Sequence, residues 1–202
     1  MKRFFTCLIF SILFMQETTA QNSDARESDL PYYQIPEYPH TYTAGNVSAR
    51  MIDALGFRYY WATEGLREED LKFKPSEMAR TTRETLDHIY GLSRLIVNAP
   101  DRKPNDGSKE KSELTFQQLR EKTLQNFKRA SDLLKSENGK DMEKNKIVYK
   151  RDENTTEYPF WNLINGPIAD AIWHVGQVVS FRRSSGNPFN SKVSVFNGKL
   201  RK

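Results

Sequence analysis

Asp170 and His174 stand four residues apart in IADAIWHVGQVVSFRRSSG, residues 168–186, where the only other polar side chain before Ser180 is Gln177. At helical spacing Asp170, His174, Gln177 and Phe181 fall at i, i+4, i+7 and i+11, a single stripe. Ile168, Ile172, Val175 and Val179 form a second face, so the helix is apolar nearly all round and is expected to be buried. Two side chains one turn apart can grip one ion, and imidazole with carboxylate suits zinc, nickel, manganese or iron. The same residues also suit a core ion pair closed within one turn, with Gln177 satisfied locally. Two ligands from one helix do not complete a metal site, so that reading needs a third from a neighbour. The histidines are His40, His88 and His174. His88 sits mid-helix among apolar residues and completes a candidate set of His88, Asp170 and His174. His40 lies in a Pro-rich segment and reads as a loop residue. Gln177, one turn beyond His174, is placed to orient a ligand residue or a substrate.

These side chains need helices to carry them, and the spacing predicts four. The first runs from about Asn46 to Gly65, with Met51, Leu55, Tyr59 and Ala62 on one face and Ile52 and Trp61 widening it. The second starts at a capping box, Thr81 with Glu84, and stops before Pro100; Leu86, Ile89, Ser93 and Ile96 form its stripe. The third opens on Thr115 with Gln118, followed by Phe116, Leu119, Thr123, Phe127, Ala130 and Leu134. Residues 137–157 read as loop, with Ile147-Val148-Tyr149 as one short strand. The fourth helix is expected after Asn165-Gly166-Pro167, with Asn165 capping and Pro167 in the first turn, ending near Ser185-Gly186. Four helices without a long strand imply an all-α fold, a four-helix bundle.

Two segments resemble a known family. LREEDLKFKPSEMARTTRETLDHIYGLS, residues 66–93, resembles the start of a DinB superfamily domain: an acidic turn, a Pro-containing loop and a second helix carrying a histidine. WHVGQVVSFRRSSGNP, residues 173–188, is similar to the family's closing helix, where histidine, glycine, glutamine and a basic pair recur. The resemblance spans Asn46 to Pro188 and implies a DinB-like four-helix bundle. It also implies a divalent metal held by one histidine of the second helix and two, four apart, of the last. His88 takes the first of these positions and His174 the last, while Asp170 stands where the family has its middle histidine. The implied site is therefore two histidines and a carboxylate, a harder set than three histidines. Some members are thiol-dependent transferases or isomerases that use small intracellular thiols, which an exported chain would scarcely meet.

Export is the reading of the N-terminus. Lys2 and Arg3 precede the apolar stretch Phe4 to Met15 and the small residues Thr18-Thr19-Ala20, the pattern of a secretory signal peptide. The predicted layout is a signal peptide at 1–20, a Pro/Tyr-rich arm at 21–45, the helical bundle at 46–188 and a basic tail at 189–202. The expected location is periplasmic or secreted. The apolar stretch is shorter than the roughly 20 residues of a membrane span, so no membrane contact is expected after cleavage. Cleavage after Ala20 removes Cys7, the single cysteine, and with it any disulfide or thiol chemistry. The formal net charge is +5, but the charges interleave as in KEKSE and KSENGKDMEKNK, a solvated surface and not a nucleic-acid stripe. Asn46-Val47-Ser48 and Asn154-Thr155-Thr156 match the glycosylation pattern, which matters only in a eukaryotic secretory pathway. The expected function is a metal-dependent hydrolase or transferase acting on a small-molecule substrate, with Trp61, Trp161 and Trp173 available to line a pocket and a homodimer allowed. The alternative is a non-catalytic binding or structural bundle whose Asp-His-Gln stripe is a degenerate metal site.

Overall fold

The computed structural model describes residues 30–106, 114–135 and 137–202. The proposed signal peptide and the first residues of the arm lie outside them. The described chain is mostly helical, with four long helices: α1 (Ala44–Thr63), α3 (Thr82–Asn98), α4 (Phe116–Lys135) and α7 (Ala169–Ser184). Short helices α2 (Glu68–Lys72), α5 (Gly139–Met142) and α6 (Phe160–Leu163) lie between them. α1 packs on α4 and α7, and α3 packs on the same two. Leu55 and Tyr59 of α1, Leu86, Ile89 and Ile96 of α3, and Leu119, Phe127 and Leu134 of α4 are fully buried among them. These are the stripes read from the 3.6-residue period. No helix among the described residues is long and apolar enough to cross a membrane.

Both capping boxes form. The Thr81 hydroxyl accepts the Glu84 N–H at 3.1 Å while the Glu84 carboxylate accepts the Thr81 N–H at 2.7 Å, and Thr115 and Gln118 do the same at 3.2 and 3.0 Å. Each box satisfies helix-terminal N–H groups that have no partner within the helix.

Three expectations change. Residues 147–158 are a hairpin, β1 (Ile147–Arg151) against β2 (Asn154–Tyr158), in place of one short strand in a loop. β2 reads NTTEY and is exposed throughout, so no alternation of burial announces it. The last helix begins after Asn165-Gly166-Pro167, at Ala169, but Asn165 does not cap it. Its axis starts at α6 and passes through a π-helical turn, Ile164–Ile168, that contains Pro167. Proline lacks an N–H and crowds the carbonyl four residues back, and the wider turn relieves both. Asp170 stands two residues beyond this turn.

The third change concerns burial. α7 buries Ala171, Val175, Val178 and Arg182, but Ile172 is 38% and Trp173 72% exposed. α7 covers one face on α1 and α3, and its other face meets water. The polar stripe therefore stands at the margin of the helices, half in solvent, and not inside them.

Two latches join the ends of the chain to this frame. The arm inserts Tyr32, buried and at a φ of 78°, so that its hydroxyl donates to Asp53 Oδ1 at 3.0 Å. Burial and the Asp53 charge push the phenol above its usual range. The ring lies on Gly56, where a Cβ would stand 2.5 Å from ring carbons. Gly56→Ala is thus expected to destabilise by about 1–3 kcal/mol, because expelling a buried ring outweighs the gain of about 1 kcal/mol in helix propensity. A denaturant midpoint equal to or above wild type would show that the arm is not held this way.

The second latch is at residues 182–187. Arg182 is buried and donates from Nη1 to the carbonyls of Trp61, Ala62 and Glu64 at 3.1, 3.0 and 2.9 Å, closing the C-terminal end of α1. Asp70 of α2, almost wholly buried, accepts from Arg67, Ser185 and Asn187. Of the basic pair in the sequence, one member is thus architecture.

Candidate metal centre

α3 carries His88 on its margin, and α7, packed beside it, carries Asp170 and His174. The Asp170 carboxylate lies between the two rings: Oδ2 is 3.1 Å from His88 Nε2 and Oδ1 is 3.3 Å from His174 Nε2. The rings meet nearly edge to face, 4.6 Å between centroids at 88°. One donor atom from each residue lies within 4.8 Å of the others. Metal ligands about 2.0–2.2 Å from an ion lie roughly 3–4 Å apart, so small side-chain rotations close the set. The side chains are 34%, 38% and 16% exposed for His88, Asp170 and His174, which leaves a side open to solvent.

Gln177 pairs with the outer ring nitrogen of His174. Its Oε1 lies 2.7 Å from His174 Nδ1 and accepts a hydrogen bond in the tautomer that carries the hydrogen on Nδ1. In that tautomer the Nε2 lone pair faces Asp170 Oδ1. Two acceptors at that distance need a proton or a cation between them. This is how a residue behind a metal ligand fixes its tautomer, and removing such a partner typically weakens metal binding about 10–100-fold. If the cluster holds a metal ion, Gln177→Ala is expected to raise its dissociation constant about tenfold, measured by calorimetric titration with zinc, nickel and manganese. An unchanged constant would leave Gln177 a bystander.

His40 is exposed in the arm and stays apart from the cluster. Trp61 is core, its indole N–H donating to the Tyr33 carbonyl at 3.1 Å. Trp161 and Trp173 are 77% and 72% exposed. Phe181, last in the stripe, packs against Phe73 with ring centroids 5.9 Å apart. A shallow depression of about 550 Å³ on α4, lined by Pro31, Gln125, Lys128, Arg129, Asp132 and Leu133, contains none of the cluster. The chemistry and this hollow are therefore separate, and the donor set is the better guide, because the hollow is lined by surface groups already engaged with one another, such as Lys128 with Asp132.

The i, i+4 pair and the lone mid-helix histidine were legible as a candidate set. The Asp70 cluster and the buried Arg182 were not, since neither charged residue differs in type or spacing from those on the surface. No family model, curated protein or solved structure matches the chain, so the cluster is read from its own atoms.

Proposed function

We propose that the chain is an exported DinB-like four-helix bundle in which His88, Asp170 and His174 hold a divalent metal ion and act as a hydrolase or transferase centre for a small molecule. The observation that carries this reading is the convergence of two imidazoles and one carboxylate from two helices, with Gln177 Oε1 2.7 Å from the outer nitrogen of His174. A bound ion supplies Lewis acidity at a position open to water or substrate. The residues around it bind and orient. Trp173, one turn from Asp170 and exposed on α7, offers an apolar wall.

One observation favours the second reading, a non-catalytic bundle with a degenerate site. Asp170 already has a ring nitrogen beside each oxygen, so a single added proton satisfies the cluster without an ion. Metal content of the untagged protein, with melts in zinc, nickel and manganese, separates the two. An ion that binds only the folded state stabilises it by about 2.7 kcal/mol at a hundredfold excess over Kd. A melting temperature indifferent to all three metals would leave the cluster as architecture.

A further inference from the structure

The C-terminal stretch carries charge of one sign. Residues 171–202 contain no Asp or Glu, and after Pro188 they include Lys192, Lys199, Arg201 and Lys202. β3 (Val193–Ser194) pairs antiparallel with β4 (Lys199–Leu200), Val193 opposite Leu200 and Ser194 opposite Lys199. Arg201 N–H donates to the Lys192 carbonyl at 2.7 Å, extending the ladder by one pair. Residues opposite one another share a face, and faces alternate along a strand. Lys192, Lys199 and Arg201 therefore share the face opposite Val193; both Val193 and Ser194, the latter on the cationic face, are buried, while the three basic residues are exposed. Among the described residues no carboxylate pairs with any of the three.

The turn that closes this hairpin is held from several sides. Gly198 N–H donates to the Ser194 carbonyl at 2.8 Å, and Asn197 N–H to Ser194 Oγ at 3.2 Å. Gly198 adopts a φ of +66°, and its carbonyl accepts the Ile35 N–H at 2.8 Å. A Cβ at Gly198 would stand 2.7 Å from Ile35, so the turn sits tightly on the arm. Its tip residues, Val195 and Phe196, project from this support, with Phe196 94% exposed. An exposed ring at the tip of a held turn, ahead of a cationic ladder, is complementary to an interface that is apolar beneath a negative layer.

From this placement we infer that the β3–β4 hairpin is a peripheral membrane contact, in which Phe196 and Val195 enter the headgroup region of an anionic bilayer while Lys192, Lys199 and Arg201 meet the lipid phosphates. A contact of this kind needs no spanning helix. It is independent of the metal cluster and stands or falls without it. Each cation near an anionic surface contributes about fivefold to partitioning, and burying one aromatic ring about tenfold.

The test uses the chain from Gln21, the expected mature form, which keeps the whole compact unit Pro31–Lys202. Co-sedimentation is measured with phosphatidylcholine vesicles, with and without about a third phosphatidylglycerol, at moderate salt. Binding to the anionic vesicles alone is expected, weakened about tenfold by Phe196→Ser and about 25-fold or more by Lys199→Glu with Arg201→Glu. Lys122→Glu with Lys140→Glu, exposed positions elsewhere with the same change in charge, should weaken binding far less. All these side chains are exposed, so each variant should melt like the parent. Failure to bind anionic vesicles, wild-type binding by Phe196→Ser, or equal weakening by the two charge-reversed pairs would each overturn the assignment. Equal weakening would mean that net charge alone drives adsorption, as it would if an acidic protein or nucleic acid were the true partner.

Discussion

Asp70→Ala is expected to lower the unfolding free energy by about 3 kcal/mol, the largest loss anticipated from a single surface-distant side chain in this fold. Burial opposes the Asp70 charge, but hydrogen bonds from Arg67, Ser185 and Asn187 outweigh it and hold the carboxyl well below the usual carboxylate range. Truncation removes the acceptor that Asn187 Nδ2, the Ser185 hydroxyl and Arg67 Nε and Nη2 share, and loosens the end of α7 from α2. The pH dependence has a definite sign. A depressed folded-state pKa contributes stability that is complete above the unfolded value near 4 and is lost as the pH falls through the lower folded value. The difference between wild type and Asp70→Ala should therefore be constant above about pH 5 and shrink steadily below about pH 4. Urea unfolding between pH 2 and pH 7 measures it, and a gap that persists unchanged at pH 2 would show that packing and not ionisation sets the cost.

Asp170→Asn is expected to remove most of the metal-dependent rise in melting temperature, the larger part of about 2.7 kcal/mol at a hundredfold excess of ligand. The amide keeps the shape and loses the anionic donor. Because Asp170 and His88 are each about a third exposed, the ion-pair contribution to the metal-free fold is limited to about 1 kcal/mol or less. The two readings thus differ in size as well as sign. With a metal site, the variant and wild type melt within a few degrees in chelator and diverge strongly in zinc, nickel or manganese. With an architectural pair, metal shifts neither protein and the variant is slightly weaker throughout. His88→Ala gives an independent check, since it removes a ligand from the other helix and should abolish the same rise.

The helices themselves were legible because their signals are local. Thr81 with Glu84 and Thr115 with Gln118 satisfy N–H groups three residues away, and Leu86, Ile89, Ser93 and Ile96 repeat at the helical period whatever surrounds them. β2 was illegible for the same reason, since an exposed strand has no period of burial to show. Pro167 misled because proline in a first turn and proline in a π-helical turn leave the same mark on the chain. Asp170, His174 and Gln177 were placed on one stripe by spacing alone, and His88 was singled out as a histidine among apolar neighbours. Spacing determined that these residues are mutually compatible as ligands. Only the tertiary structure decided that α3 and α7 pack side by side with Asp170 between two rings, and that the stripe faces half into solvent. An apolar helix surface states what can be covered, whereas how much of it is covered depends on how many neighbours reach it, and α7 has α1 and α3 on one side and water on the other.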